Sequence, residues 1–154
     1  MNLKYEIIYA ISAVICLVFV FVGRENFVNF LIGAPRSEIE ISTLKMEFGK
    51  IKVRNGDNWS SFPQSFEKNS INAVSGHFQS SAGVNDVLGY CRATLPGLGW
   101  IESGEKDKYG EKTVKFCKGG MSLNIVASRD AAGVDYYVGV AWAASKGLDA
   151  YCPQ

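Results

Sequence analysis

An uncharged apolar run near the N-terminus constrains this chain more than any other feature. Residues 7–22 contain no charged residue and no proline. With Gly23 the run reaches about 17 residues, the lower limit for a helix that crosses a bilayer. A signal-peptidase cut after Gly23 would place the bulky Phe21 where a small residue is required. Residues 7–23 are therefore predicted to be an uncleaved membrane-spanning helix.

The compartment of the remaining chain follows from the flanks of this run and from the cysteines. Lys4 precedes the run and Arg24 and Arg36 follow it, so flanking charge does not set the orientation. The N-terminal flank is too short to hold a domain, and the cysteines suit an oxidising space. We expect a single-pass protein of the bacterial inner membrane, with residues 1–34 as anchor and juxtamembrane segment. Residues 35–154 would form a soluble periplasmic domain; a cytoplasmic domain is the alternative and would need reduced cysteines.

The size and charge of the soluble part limit its partners. Residues 35–154 suffice for one domain. The formal net charge of the whole chain is +1, and 20% of its residues are charged. Nucleic acid is therefore not predicted as a partner, because nucleic-acid-binding domains carry a marked basic excess.

The best-defined helix lies in the middle of the soluble part. Apolar residues recur there at helical spacing: Val87, Leu88, Cys91, Leu95 and Leu98. Asp86 falls in the first turn, where a negative charge suits the helix dipole. Pro96 and the glycines after it are typical of a helix end.

Two hairpins are predicted in the C-terminal third. A turn at Gly119-Gly120 pairs Phe116 with Leu123, and a turn over residues 130–133 pairs Leu123 with Val140. The two registers depend on different turns, yet both place Leu123 on the same face, and a slip of one residue would break this agreement. The predicted sheet side of the core is Trp100, Phe116, Tyr136, Val138, Val140 and Trp142.

The stretch before the helix is less regular. In residues 38–53, apolar and polar residues alternate sufficiently to predict either a hairpin that turns at Gly49-Lys50 or one long strand. Residues 54–68 contain Asn-Gly and Pro63 and are predicted to be a loop. Residues 70–79 predict a strand with Val74 and Phe78 on one face. The predicted fold class is α+β, with one helix packed on an antiparallel sheet in the order β-α-β-β-β-β, and an extra N-terminal hairpin as an option.

Three cysteines lie outside the predicted anchor, so at most one disulfide can form among them. Cys91 lies on the apolar stripe of the helix and is expected in the core. Cys117 follows the core residue Phe116 and should face away from the helix. We therefore predict a Cys117–Cys152 disulfide that ties down the C-terminal tail, with Cys91–Cys152 and three free thiols as alternatives.

Sets of catalytic or metal-ligating residues are sparse. His77 is the single histidine, and the predicted register turns it towards solvent. A dyad of Cys91 or Cys117 with His77 has no support from spacing. The carboxylates, Asp57 among them, fall mostly in turns, where solvated turn residues explain them. We predict no catalytic residue, no cofactor and no metal site.

Three aromatic residues are candidates for contact with a partner protein. Tyr109 lies in a highly charged stretch, residues 103–112, which is predicted to be a solvated loop. Trp59 lies in the predicted loop 54–68 and either packs back on the domain or is exposed. Tyr137 faces away from Tyr136, on the sheet face without the helix. Exposed aromatics among polar residues are favoured at protein interfaces.

Together these features favour a membrane-anchored, non-catalytic protein-binding module that faces the periplasm or the exterior. An immunity protein against an envelope-acting toxin fits the size, the single anchor and the missing catalytic set. An accessory subunit of an envelope assembly or secretion complex fits as well. A domain that senses a small ligand between sheet and helix is a further alternative. An enzyme would require a convergent polar cluster in a deep pocket.

Overall fold

The computed structural model describes residues 39–68 and 70–153 of the chain. Within these ranges the secondary structure consists of two α-helices, a short 3₁₀ helix (Leu95–Leu98) and six strands. In chain order the main elements are α1 (Ile41–Lys50), β1 (Asn58–Lys68), β2 (Ile71–Ser80), α2 (Val84–Thr94), β3 (Ile101–Lys108), β4 (Glu111–Lys118), β5 (Met121–Asp130) and β6 (Gly133–Ala143). The predicted membrane helix, residues 7–23, lies outside the described residues. Among those that are described, no helix has the length and apolar character needed to span a membrane.

The six strands form one antiparallel sheet in the order β1-β2-β6-β5-β4-β3. Phe116 pairs with Leu123 across the β4–β5 hairpin. Leu123 pairs in turn with Val140 on β6. Both predicted hairpin registers are thereby confirmed. β2 completes the centre of the sheet by pairing with β6, and this leaves β1 and β3 as the two outer strands.

One face of the sheet carries the core, and both helices pack on it. All six predicted core residues are buried, and so are Val74 and Phe78 of β2. From α2 the core receives Val87, Leu88 and Cys91. The domain is therefore the predicted α+β arrangement, a main helix on an antiparallel sheet, with a second helix, α1, and a sixth strand, β1, added.

The ends of α2 are formed as the sequence predicts. The carboxylate of Asp86 accepts a hydrogen bond of 3.1 Å from the backbone N–H of Gly83, which satisfies one of the unpaired donors at the helix start. After the 3₁₀ helix, Gly99 adopts a positive φ of 84°, a conformation that costs glycine nothing. The chain then enters β3 beside the buried Trp100.

The predicted N-terminal hairpin is wrong, and so is the long strand proposed as its alternative, because residues 41–50 form α1. Leu44 and Phe48 are buried, whereas Met46 between them is exposed. Residues four apart lie on one face of a helix and also on one face of a strand. The apolar spacing alone was therefore ambiguous, and packing of Leu44 and Phe48 against the sheet decides for a helix.

Two predicted loops are wrong because most of their residues lie in the outer strands of the sheet, β1 and β3. Residues 54–68 contain β1, whose register with β2 is irregular on either side of Ser61; Pro63 is tolerated there because an outer strand has a free side. Residues 103–112 belong to β3 and β4, which meet in a tight turn at Tyr109-Gly110. Outer strands bury few side chains, so neither stretch shows the apolar alternation that marks a strand in a sequence.

A buried carboxylate ties α1 to the rest of the domain. Glu47 accepts a hydrogen bond of 2.7 Å from the ammonium of Lys118, at the end of β4, and one of 2.6 Å from Lys50. Lys118 also donates to the carbonyl of Leu98 at 2.7 Å. Burial acts to raise the pKa of Glu47, but the hydrogen bonds from Lys118 and Lys50 outweigh it and hold the pKa below its usual value.

We expect Glu47→Gln to lower the free energy of unfolding at neutral pH by about 1–3 kcal/mol, as for loss of charged hydrogen bonds. A lowered pKa gives stability that is present above the unfolded pKa of glutamate and is lost as pH falls through the folded value. The variant should therefore lose less stability than wild type between neutral pH and about pH 3, measured by urea unfolding. Glu67→Gln, at an exposed position on β1, is the matched control. Equal acid sensitivity of wild type and Glu47→Gln would contradict this role.

Candidate functional site

The sheet face opposite the helices, here called the open face, has a floor of small side chains. Alternation along the central strands turns these residues away from the core: Ala73, Ser75, Gly139, Ala141, Ser122 and Asn124. Larger residues stand around this floor, with Tyr137 and His77 paired on adjacent strands. A low floor between taller side chains gives the open face room for another molecule or for another segment of the chain.

The C-terminal segment, residues 145–153, folds back over one end of the open face and is here called the strap. A disulfide joins Cys152 of the strap to Cys117 of β4, with their Cα atoms 5.7 Å apart. The ammonium of Lys115 donates to the carbonyl of Tyr151 at 2.6 Å. The predicted Cys117–Cys152 disulfide is therefore confirmed, as is the expectation that Cys117 faces away from the helix.

Apolar contacts hold the strap as well. Ala150 forms a small buried cluster with Ala141 and Ala143 of β6, to which Ile71 and Tyr151 also contribute. The strap thus covers this end of the floor and leaves the other end open.

A pocket of about 490 Å³ lies on the open face beside the strap. Its lining includes polar and charged side chains from β3 to β6 together with one apolar residue: Lys106, Thr113, Lys115, Asn124, Val126 and Tyr137, with Asp149 contributed by the strap. The hypothesis of a ligand-sensing domain predicts a ligand between the sheet and the helix. The core residues fill that face of the sheet, whereas this pocket lies on the open face.

The charges around the pocket are unevenly paired. Glu105, at its edge, is bound by the guanidinium of Arg92 at 2.8 Å, and the same guanidinium binds Glu102 at 2.9 Å. The hydrogen bond from Arg92 lowers the pKa of Glu102. Lys106 lies 3.4 Å from Asp149, and these two side chains are 77% and 94% exposed. Of the two carboxylates at this pocket, Glu105 is therefore held by Arg92, whereas Asp149 makes only an exposed contact with Lys106.

Trp59 satisfies both interpretations that the sequence allowed. One side of its ring packs on Phe78, with the ring centroids 4.2 Å apart, and the residue is still 51% exposed. The ring also lies over Gly76 so closely that a Cβ there would clash, which explains the glycine in β2.

Tyr109 and Tyr137 lie in different parts of the domain. Tyr109 is 96% exposed at the β3–β4 turn, where its φ is 53° and the ammonium of Lys108 lies 5.1 Å from its ring centre. Tyr137 forms one wall of the pocket and covers Gly139. Its ring meets the His77 ring edge-on, with the ring centroids 5.2 Å apart. The structure does not bring the three predicted contact residues together.

Sequence reasoning missed two exposed aromatics on β1. Phe62 is 90% exposed, and Phe66 is nearly half exposed. With Trp59 they are here called the edge aromatics. Their recurrence in a polar stretch could have indicated an outer strand, but Asn-Gly and Pro63 favoured a loop.

Asp57 was expected to be a solvated turn residue, and this prediction is wrong because its side chain is fully buried. Its carboxylate accepts hydrogen bonds of 2.9 Å from Tyr136 and 2.6 Å from Ser80, and one of 3.3 Å from Arg54. Burial raises the pKa of Tyr136, and the bond to Asp57 raises it further. This cluster joins the chain before β1 to β2 and β6.

The structure separates the groups considered for a cysteine–histidine dyad. Cys91 lies in the core, where burial raises the pKa of its thiol to about 12. His77 lies exposed on the open face, on the other side of the sheet. Cys117 is held in the disulfide. Neither cysteine is therefore placed to give His77 a thiolate partner.

In the part of the chain that the structure describes, no three His, Cys, Asp or Glu side chains come together in a way that could hold a metal ion. In comparisons with known proteins, no protein family, curated protein or solved structure matches this chain.

Proposed function

We propose that this chain is a non-catalytic protein-binding module, held in the bacterial inner membrane by residues 7–23 with its domain in the periplasm. The observation that carries the proposal is the exposure of the edge aromatics on β1. Phe62 leaves 90% of its surface in solvent, and large aromatics are the residues most often found at the centre of protein interfaces.

The contrast between the two outer strands supports a binding role for β1. All eight residues of β3 are exposed, and five of them are charged. Charged residues on an outer strand discourage pairing with another chain. β1 has only two charged residues, Glu67 and Lys68, at its end. The charged residues of β3 thus disfavour pairing at that edge of the sheet, whereas β1, at the other edge, exposes apolar side chains.

The irregular register of β1 indicates how a partner would bind. The pairing of β1 with β2 is interrupted between Trp59 and Gln64, where Phe62 and Pro63 lie. A proline and a bulge oppose the addition of a continuous strand. The partner would therefore contact the edge aromatics through its side chains, with apolar pockets that receive Phe62 and Phe66.

Two classes of partner fit this proposal. An envelope-acting toxin would make the chain an immunity protein, which needs only a binding surface and an anchor. Subunits of an envelope assembly or secretion complex would make it an accessory subunit. We favour the immunity protein, because a small module with one apolar edge and a single anchor suffices to hold one toxin near the membrane.

The test is co-purification of the tagged full-length protein from its native membranes in mild detergent, followed by mass spectrometry. Wild type is expected to retain a partner at near-equal amount, and a Phe62→Ser/Phe66→Ser variant is expected to lose it. Ile101→Ser removes an exposed apolar residue from the other outer strand and should retain the partner. Circular dichroism checks that both variants are folded.

Each outcome of this test has a definite meaning. A single secreted toxin would establish an inhibitor, and a set of envelope proteins would establish an assembly subunit. A partner that the Phe62→Ser/Phe66→Ser variant still binds would exclude β1 as the binding edge. Finding no partner in native membranes would contradict the binding role itself.

A further inference from the structure

Two lysines of the open-face pocket lie on adjacent strands and on the same face. Lys106 pairs with Thr113 across β3 and β4, and Lys115 lies two residues further along β4, opposite Gly104. Such diagonal neighbours are about 7–8 Å apart, within the joint reach of long side chains. A hydrogen bond of 2.6 Å to the carbonyl of Tyr151 orients the ammonium of Lys115. The two lysines therefore present a positively charged pair at the pocket.

The anion now next to this pair is weakly held. Asp149 of the strap lies 3.4 Å from Lys106, and their side chains are 94% and 77% exposed. Exposed pairs of this kind contribute little free energy because water screens them. Glu105 is engaged by Arg92 at 2.8 Å. Asp149 thus acts as a tethered counter-ion that a better-placed carboxylate could replace.

The rest of the lining suits a small carboxylate ligand. Thr113, Asn124 and Tyr137 offer a hydroxyl, an amide and a phenol, and Val126 provides an apolar patch. The volume of about 490 Å³ lies within the range of roughly 300–1,000 Å³ for small-molecule sites. A carboxylate on a short stem could reach the lysines while its stem lies against Val126 and Tyr137.

We propose that the open-face pocket binds a carboxylate group, which displaces Asp149 and is held by Lys106 and Lys115. The group belongs either to a free small dicarboxylic acid or to an acidic side chain of a peptide. The site is separate from the edge aromatics, and its occupation depends neither on them nor on the proposed protein partner.

The test titrates glutarate, and in a second series a tetraglutamate peptide, into the full-length protein in detergent micelles. The backbone amide resonances of Asn124 and Val126 report binding by NMR. Lys106→Gln and Lys115→Gln are each expected to weaken binding by about tenfold or more, as for loss of one charged hydrogen bond. Asp149→Asn should strengthen binding by about two- to fivefold, because it removes the carboxylate that competes with the ligand for Lys106. The effect is small because an exposed ion pair contributes little free energy.

Lys108→Gln is the matched control, since Lys108 lies on the same strand as Lys106 but borders a different pocket, at the β3–β4 turn. It should leave both dissociation constants unchanged. A control that weakens binding as much as Lys106→Gln would overturn the proposal, because it would indicate general charge attraction. Resonances of Asn124 and Val126 that do not shift would overturn it as well.

The two series distinguish the sources of the carboxylate. Similar dissociation constants for glutarate and the peptide would identify a free small acid. A peptide that binds more than about tenfold tighter would identify an acidic protein segment. If neither ligand binds, the proposal that β1 captures a protein partner still stands. If no partner is captured, the result of the titrations still stands. The two proposals are therefore tested separately.

Discussion

Replacement of Trp142 by aspartate is expected to unfold the domain under conditions in which the wild type is folded. Trp142 is buried on β6, where it pairs with Met121 on one side and Asn72 on the other. Truncation of a buried aromatic alone costs about 3–5 kcal/mol, and the variant also places a carboxylate in an apolar core. The total approaches the entire stability of a typical domain, about 5–15 kcal/mol. Far-UV circular dichroism and urea unfolding of the full-length protein measure the loss.

Lys108→Asp is the control for this substitution. Lys108 is exposed at the end of β3, beside the β3–β4 turn, and surface changes of this kind usually alter stability by less than about 0.5 kcal/mol. Comparable losses in Trp142→Asp and Lys108→Asp would show that the sheet register is incorrect.

Asp57→Ala is expected to lower the free energy of unfolding by about 3–5 kcal/mol, the usual cost of removing one partner from a buried charged cluster. The variant leaves the phenol of Tyr136, the hydroxyl of Ser80 and the guanidinium of Arg54 without the carboxylate that pairs them. Chemical unfolding at neutral pH measures the effect. Asp107→Ala is the matched control, because the Asp107 side chain is 59% exposed and its carboxylate makes only a long contact, of 4.0 Å, with the ammonium of Lys112.

A double-mutant cycle shows whether Asp57 acts through these bonds. If it does, the losses from Asp57→Ala and Tyr136→Phe will add up to more than the loss in the double variant, by about 1 kcal/mol. Strict additivity would mean that the bond between Tyr136 and Asp57 contributes nothing. A loss in Asp107→Ala equal to that in Asp57→Ala would contradict the assignment of Asp57 as a buried structural carboxylate.

The elements that the sequence predicted correctly are those with several local signals that agree. For α2, an apolar stripe coincides with an acidic first turn and with a proline and glycines at the end. For the β4–β5–β6 meander, two turns independently placed Leu123 on the same face. The position of Cys117 beside Phe116 was sufficient to direct its side chain to the open face and so towards Cys152.

The errors fall where the local pattern was ambiguous or silent. Leu44 and Phe48 suit a helix and a strand equally, and only their packing on the sheet selects α1. β1 and β3 are outer strands with little burial, so they lack the alternation by which strands are recognised. Asp57 has the sequence context of a turn, and its burial depends on Tyr136 and Ser80, which are distant in the chain.

By itself, the sequence of this protein determined the main helix and the meander register and favoured the Cys117–Cys152 disulfide, because each depends on short-range periodicity or on which face a residue occupies. The tertiary structure alone decided α1, the outer strands, the buried Asp57 cluster and the pocket between the strap and Tyr137. These features arise from contacts between residues far apart in the chain, and such contacts leave no periodic trace in the local sequence. The two proposed binding surfaces, on β1 and on the open face, belong to this second group.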